Sequence, residues 1–369
     1  MAVNKKLLQV FSALLILVYH VWMPVGSGTV SQFIIRTGYI GVDIFFFLAA
    51  YSLADKQIKY LDFIRDRFGK IYLKFLLFTI VAALYKGWTF GRVIRILLFA
   101  ELFERGGGSF LWFIPAIMIF YLLYPLYLKL NEKTRVWYVL AGWLAFSLIS
   151  QHLLDYTTIF IFTNRIPAML AGSVCKTIDL PENMPKRSEA LVRNAKNSDA
   201  EDMRLKNGSV SAANAVCAAM IPIGLVLLYF FGFKTRLNVP VKDMYFVAGL
   251  PLIIGLAWLS GLTAPAGRGG VKIQQGSAPG SGMEHTDAVR GMKRKGGFAN
   301  RIINLLGNCT LELYALQVIF GTVVARAVYN LIGLKLAANL VTVAVIWLAA
   351  ILVEKCWSLA QRKIGAGAN

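Results

Sequence analysis

The sequence predicts an all-α polytopic membrane protein with about ten transmembrane helices and both termini in the cytoplasm. Hydrophobic residues make up 57% of the 369 residues and charged residues only 16%, whereas soluble domains carry about 25% charged residues. Apolar segments close to 20 residues long recur along the chain, and about 20 helical residues cross the hydrocarbon layer. Lysine and arginine, which produce a net charge of +20, gather in alternate connections between these segments, as the positive-inside rule requires.

The order of the apolar segments gives the topology. We expect spans at 7–25, 38–54, 71–87, 111–129, 136–153, 158–175, 211–232, 243–262, 305–329 and 334–353. With the N-terminus inside, the inner loops and tails hold roughly three times as many basic residues as the outer loops, which supports the orientation and the even number of spans.

The connections complete a single membrane domain over residues 1–369. Two of them are long hydrophilic loops, at about 176–210 and 263–298, and the glycine, serine and proline content of the second predicts disorder. A third connection, 91–104, places apolar residues at helical spacing against basic and acidic ones. This pattern predicts an amphipathic helix on the membrane surface.

The charge pattern also limits the classes of partner. The basic residues follow membrane topology and do not form one stripe with interleaved aromatic residues, so the lipid bilayer is the expected partner and nucleic acid is not. The four cysteines are scattered in or beside apolar segments without metal-ligand spacing, so we expect buried structural thiols, no metal site and no bound cofactor.

Two ionisable residues near the start of the chain are the first candidates for chemistry. His20 lies 13 residues up the first span from Leu7, roughly 20 Å at 1.5 Å per residue, and Asp43 enters the second span from the same side. We expect the two at similar depth, with His20 as a base and Asp43 as its orienting or electrostatic partner. An interfacial histidine in an aromatic belt with Tyr19 and Trp22 is the alternative reading.

Two further charges fall inside predicted spans. Arg165 precedes Pro167 in the outer part of the sixth span, where it needs a partner such as Asp43 or Asp155. It is predicted either as an ion-pair strut or as a donor to a developing oxyanion. Glu312, in the inner half of the ninth span, is expected to pair with Arg67 or Lys70, and it is also a candidate residue for substrate or donor binding.

Several motifs, in the same order along the chain, resemble those of the integral-membrane acyltransferase family 3. They are LLILVYH at 14–20, GYIGVDIFFF at 38–47, RFGKIY at 67–72, LWFI at 111–114, RIPAMLAG at 165–172 and LGNCTLELY at 306–314. The resemblance implies a bacterial inner-membrane enzyme that moves an acyl group, often acetyl, from cytoplasmic acyl-CoA to a hydroxyl of an extracytoplasmic polysaccharide or glycolipid. It also implies that His20 matches the family's catalytic histidine.

The resemblance suggests further binding residues and also shows departures. Arg67 and Lys70 are either candidates to hold the phosphates of acyl-CoA or basic residues that serve membrane topology alone. Trp112 and Tyr121 are either packing residues or platforms for a sugar. Glutamine (Gln9) stands where the family commonly has an arginine eleven positions before the histidine. The other departures are Ala49, Ala50, Lys70, Leu73 and Gln317. A transporter, flippase or non-catalytic protein of surface glycan assembly is therefore the alternative function.

Overall fold

The computed structural model is built from helices. It describes residues 3–25, 32–33, 35, 38–56, 59–104, 111–132, 134–153, 158–179, 200–230, 248–262 and 298–366, and these contain no β-strand. The all-α prediction is thus confirmed for the described part of the chain. The predicted disorder falls on 263–298, and residues 263–297 lie outside the described residues.

The helices follow the predicted order, with some different ends. They are α1 (Lys5–Val21), α2 (Ile40–Leu53), α3 (Tyr60–Lys86), α4 (Phe90–Leu97), α5 (Phe113–Lys129), α6 (Arg135–Leu153), α7 (Thr158–Thr163), α8 (Ile166–Asp179), α9 (Ala200–Leu227), α10 (Leu250–Leu262), α11 (Phe298–Asn308), α12 (Thr310–Ile332) and α13 (Lys335–Ala366). A 3₁₀ helix, Ala100–Phe103, follows α4.

Three of these helices are long and apolar enough to cross a membrane: Tyr60–Lys86, Thr310–Ile332 and Lys335–Lys363. Shorter apolar helices of 10–17 residues accompany them in the described ranges. The apolar helices are those expected of a membrane protein, while the count of ten spans and the side of each terminus stay predictions.

Two segments differ from the sequence prediction. Helix α9 begins at Ala200, within the stretch 176–210 that was predicted as a loop, so part of that loop is helical. The expected sixth span, 158–175, is two helices, because the α-helix is interrupted at Asn164 and Arg165 between α7 and α8.

Helix α2 lies at the centre of the bundle. Asp43 is its one charged residue, and most of its residues are buried, as expected of a core helix. It packs between α1 and α8 through small residues: a Cβ at Gly41 would meet the carbonyl oxygen of Ser12, and one at Gly172 would meet that of Phe47. The backbones approach closely at these two glycines, the usual device of packed membrane helices.

Helices α12 and α13 also pack against α1. Gly307, just before α12, faces Lys6, and Gly321 faces Val21, so α12 runs parallel to α1. Asn339 of α13 is fully buried. Its amide accepts from the Met23 N–H at 2.9 Å and donates to the Met23 carbonyl at 2.8 Å. This two-way contact holds the chain where it leaves α1.

The amphipathic segment after α3 is helical in two pieces. The guanidinium of Arg92 pairs with Glu101 at 3.1 Å, and that of Arg95 pairs with Glu104 at 3.2 Å, so α4 and the 3₁₀ helix fold against each other. The hydroxyl of Tyr72 donates to the Leu97 carbonyl at 3.3 Å, which joins α4 to α3.

Candidate active site

His20 lies in the last turn of α1, at the end of the bundle opposite Lys5. Asn4 caps the start of this helix by accepting from the Leu7 N–H, and the helix ends at Trp22, which has extended backbone. The His20 side chain is exposed, and its Nδ1 lies 2.9 Å from the Ile16 carbonyl oxygen. Because a carbonyl only accepts, Nδ1 carries the ring proton and Nε2 keeps its lone pair. The Ile16 carbonyl therefore orients the ring, and Nε2 is the nitrogen that can act as a base.

The predicted contact between His20 and Asp43 is wrong. The neighbours of Gly41 on α1 are Ser12, Leu15 and Ile16, and Asp43 lies further toward the Lys5 end. By the helical rise, His20 is roughly 12 Å above the level of Ser12. The offset between antiparallel helices places the two side chains at different depths, so the Ile16 carbonyl, and not Asp43, orients the imidazole.

Asp43 instead pairs with Arg165. One guanidinium nitrogen, Nη1, donates to both carboxylate oxygens at 2.8 and 2.9 Å, and both side chains are almost fully buried. The guanidinium also lies over the Tyr39 ring, with 5.6 Å between Cζ and the ring centroid. Asp155, the other predicted partner, lies outside the described residues. The pair joins α2 to the start of α8, which fits the role of an ion-pair strut.

Asn164, which the sequence analysis did not single out, lies next to this strut along the chain. Asn164 is 2% exposed, and neither its amide nitrogen nor its amide oxygen has a hydrogen-bond partner. Gln317 is also buried, and its Oε1 lacks a partner. An asparagine directly before the intramembrane arginine was the available signal for the first of these, because such residues are rare in apolar spans.

A cavity of about 290 Å³ runs beside α1 between Gln9 and Ile16. Its lining includes Gln9 and Ile16, which are seven positions apart and thus separated by roughly 10 Å along the helix. His20 lies one turn beyond Ile16. The polar side chains of the lining are Gln9, Ser52, Arg67, Tyr121, Thr310 and Tyr314. The cavity therefore leads from the Arg67 end of the bundle toward the catalytic candidate.

Two cavity residues carry unused polar groups of opposite kind. The Gln9 Oε1 is buried and accepts no hydrogen bond, so the cavity offers an acceptor to a ligand. The Arg67 guanidinium lies over the rings of Phe63 and Tyr121, with 5.8 Å between Cζ and each centroid. These aromatic faces hold a fixed positive charge at the cavity wall.

Lys70 and Trp112 lie apart from this cavity. The Lys70 amine pairs with Asp66 at 2.5 Å and its side chain is 68% exposed, so the prediction that Lys70 acts with Arg67 is not supported by its position. Trp112 directly precedes α5 and packs edge-on against Phe113. Among the departures from the family motifs, Ala49 lines the cavity, and the Ala50 carbonyl accepts from the Tyr124 hydroxyl at 3.1 Å.

The predicted partners of Glu312 are also wrong. Its buried carboxylate pairs with Lys74, and the same amine bonds to Glu354 at 2.7 Å. This cluster ties α3, α12 and α13 together. Lys74 itself was the overlooked signal, because a lysine inside a predicted span requires a partner of opposite charge.

The last two predictions to compare with the structure concern metal binding and the burial of the cysteines. No group of three or more metal-ligating residues occurs within the described ranges. Cys309 is buried as expected, whereas Cys356 is exposed, against the prediction of buried thiols.

A comparison with models of known protein families shows which family the chain belongs to. The model of an acyltransferase domain, family 3, matches residues 6–354. The chain belongs to acyltransferase family 3. The match covers nearly the whole chain and every site residue described above, so the family predicted from the sequence motifs is confirmed, and acyl transfer is the general activity. Comparisons with curated proteins and with solved structures gave no significant match.

Proposed function

We propose that this acyltransferase moves an acyl group, acetyl in the simplest case, from cytoplasmic acyl-CoA to a hydroxyl of an extracytoplasmic polysaccharide or glycolipid. Its expected location is the inner membrane of a bacterium. The observation that carries the proposal is the cavity that begins beside Arg67 and ends one turn below the exposed ring of His20. A donor and an acceptor can meet there from opposite sides.

The donor end of the cavity suits acyl-CoA. The guanidinium of Arg67 is a contact for a phosphate of coenzyme A, since arginine binds phosphate through charge-assisted hydrogen bonds. Pantetheine contains two amide groups, and the unpartnered Oε1 of Gln9 can accept from one of their N–H groups. A glutamine at this position thus fits a neutral part of the donor, where an arginine would favour an anion.

The acceptor end suits general-base catalysis. The His20 Nε2 removes the proton of the acceptor hydroxyl as its oxygen attacks the thioester carbonyl. The new C–O bond forms, the C–S bond breaks, and the imidazolium returns the proton to the leaving thiolate, so that free CoA is the second product. In this scheme Asp43 and Arg165 act as positioning residues, because their mutual ion pair fixes α2 against α8.

Complementation of a deletion strain tests the proposal. O-acyl groups on surface glycans are measured by mass spectrometry in cells that carry the wild type, His20→Ala or Tyr19→Phe. The wild type and Tyr19→Phe, which keeps the ring beside His20, should restore acylation, whereas His20→Ala should not. Full acylation with His20→Ala would refute the mechanism. Lipid-linked intermediates that accumulate while the polymer stays normally acylated would favour a flippase instead.

A further inference from the structure

A second concave surface lies on the other side of α5. This surface, called here the α5–α8 groove, has a volume of about 340 Å³. It shares no lining residue with the cavity that is lined by Gln9 and Arg67. Its lining consists of Phe120, Leu123, Tyr124, Leu126, Tyr127, Leu130, Val139, Phe162, Ile166, Met169 and Leu170. Leu123 and Leu126 are 54% and 48% exposed, so the groove is open to the outside of the bundle. In a membrane-spanning protein this side is expected to face hydrocarbon.

A buried arginine lies at one end of the groove. Arg135 begins α6, its side chain is only 8% exposed, and its guanidinium lies over the Tyr127 ring at 5.1 Å. Tyr127 itself lines the groove, so the charge and the apolar surface meet at this residue. Lys129 ends α5 at the same end of the bundle.

Arg135 has a long ion pair with an exposed side chain. The nearest carboxylate oxygen, from Glu132, is 3.8 Å away and belongs to a side chain that is 77% exposed. In the described part of the structure the guanidinium makes no hydrogen bond. A buried charge without hydrogen bonds costs free energy unless a counter-charge binds it, and the planar guanidinium suits a phosphate.

We propose that the groove binds an anionic phospholipid, with the lipid phosphate on Arg135 and one acyl chain along the groove. The groove and Arg135 lie toward the same end of the bundle as Tyr60, whose hydroxyl donates to the Leu122 carbonyl of α5. This end is expected to face the cytoplasm, where the leaflet carries anionic lipids. The lipid site does not depend on acyl transfer.

Lipid binding to the purified full-length protein tests this site. Native mass spectrometry and thermal melting are compared in detergent with phosphatidylglycerol and with phosphatidylcholine of the same chains. The variants are Arg135→Gln, which removes the charge, and Val139→Trp, which fills the groove. The matched controls are Arg65→Gln, at an arginine that is 87% exposed, and Leu84→Trp, at a leucine that is 80% exposed.

The wild type should prefer phosphatidylglycerol. Arg135→Gln should weaken that binding roughly tenfold, the effect of one charge-assisted phosphate contact, and Val139→Trp should weaken the binding of both lipids. The controls should behave as the wild type.

Equal retention of phosphatidylglycerol by the wild type and Arg135→Gln would overturn the proposal. So would equal protection by glycerol 3-phosphate, because a free anion would then suffice. If Arg135→Gln does not purify as a folded protein, Arg135→Lys and Val139→Trp decide the question: unchanged lipid binding in Val139→Trp excludes the groove.

Discussion

Arg165 binds both carboxylate oxygens of Asp43 through one nitrogen, across 122 positions of the sequence. The bond joins the central helix α2 to the break between α7 and α8, directly before α8 begins at Ile166. Both charges lie far from bulk water, so each depends on the other for its solvation.

Removal of either charge should therefore destabilise the protein strongly. We expect Asp43→Asn or Arg165→Met to lower the free energy of unfolding by about 3–5 kcal/mol, because one buried charge is left unpaired. The double variant Asp43→Asn with Arg165→Met should be less destabilised than the sum of the two single variants. Thermal melting in detergent measures this, and Asp62→Asn in an exposed pair is the control. Strict additivity of the two changes would contradict the strut.

The close approach at Gly172 gives a second prediction. A Cβ there would meet the Phe47 carbonyl, whereas a Cβ at Gly142 of α6 would have no atom within 4 Å. Gly172→Ala should cost about 1–3 kcal/mol because the two backbones must separate, and Gly142→Ala should change the stability little. Melting temperatures of the two variants compare them directly, and equal values would show that α2 and α8 are not in tight contact.

The Lys74 cluster gives a third prediction. Lys74→Met leaves the carboxylates of Glu312 and Glu354 without their shared cation, so we expect a loss of about 3–5 kcal/mol. The control is Arg95→Met in the half-exposed pair with Glu104, for which surface pairs suggest a loss below about 1 kcal/mol. Equal melting temperatures of the Lys74→Met and Arg95→Met proteins would show that the Lys74 cluster stabilises the fold no more than a surface ion pair does.

Arg67 and Lys70 should differ in donor binding, although they are only three positions apart. Arg67 lines the cavity, whereas Lys70 pairs with Asp66 outside it. Arg67→Gln should raise the KM for acyl-CoA roughly tenfold with little change in kcat, because the lost contact is present in both the ground state and the transition state. Lys70→Gln should keep the wild-type KM. A larger effect of Lys70→Gln would place the donor elsewhere.

Sequence patterns predicted the helical membrane class and the family because both depend on local features, namely the length of apolar segments and ordered motifs. They also indicated Asp43 as a partner of Arg165, since an intramembrane charge requires a counter-charge. The prediction that Asp43 and His20 lie at similar depth was wrong. The offset between packed helices depends on contacts such as that of Gly41 with Ser12, which the sequence does not reveal.

The cavity could not be predicted from the sequence. Its polar lining comes from helices that are distant along the chain. The motif at 306–314 contains Thr310 and Tyr314, but nothing in it indicates that they meet Gln9 and Arg67 around one cavity. The same is true of Asn339, whose contact with Met23 joins positions 316 residues apart.

In the proposed mechanism His20 is the base that activates the acceptor hydroxyl. The most direct test is the rate of transfer of radiolabelled acetyl from acetyl-CoA to the surface glycan in membrane vesicles that contain equal amounts of folded wild type, His20→Gln or Tyr19→Phe. We predict that His20→Gln lowers the rate by about 10²–10⁴-fold, the usual contribution of a general base, while Tyr19→Phe stays near the wild type. A His20→Gln rate equal to that of the wild type would contradict the claim.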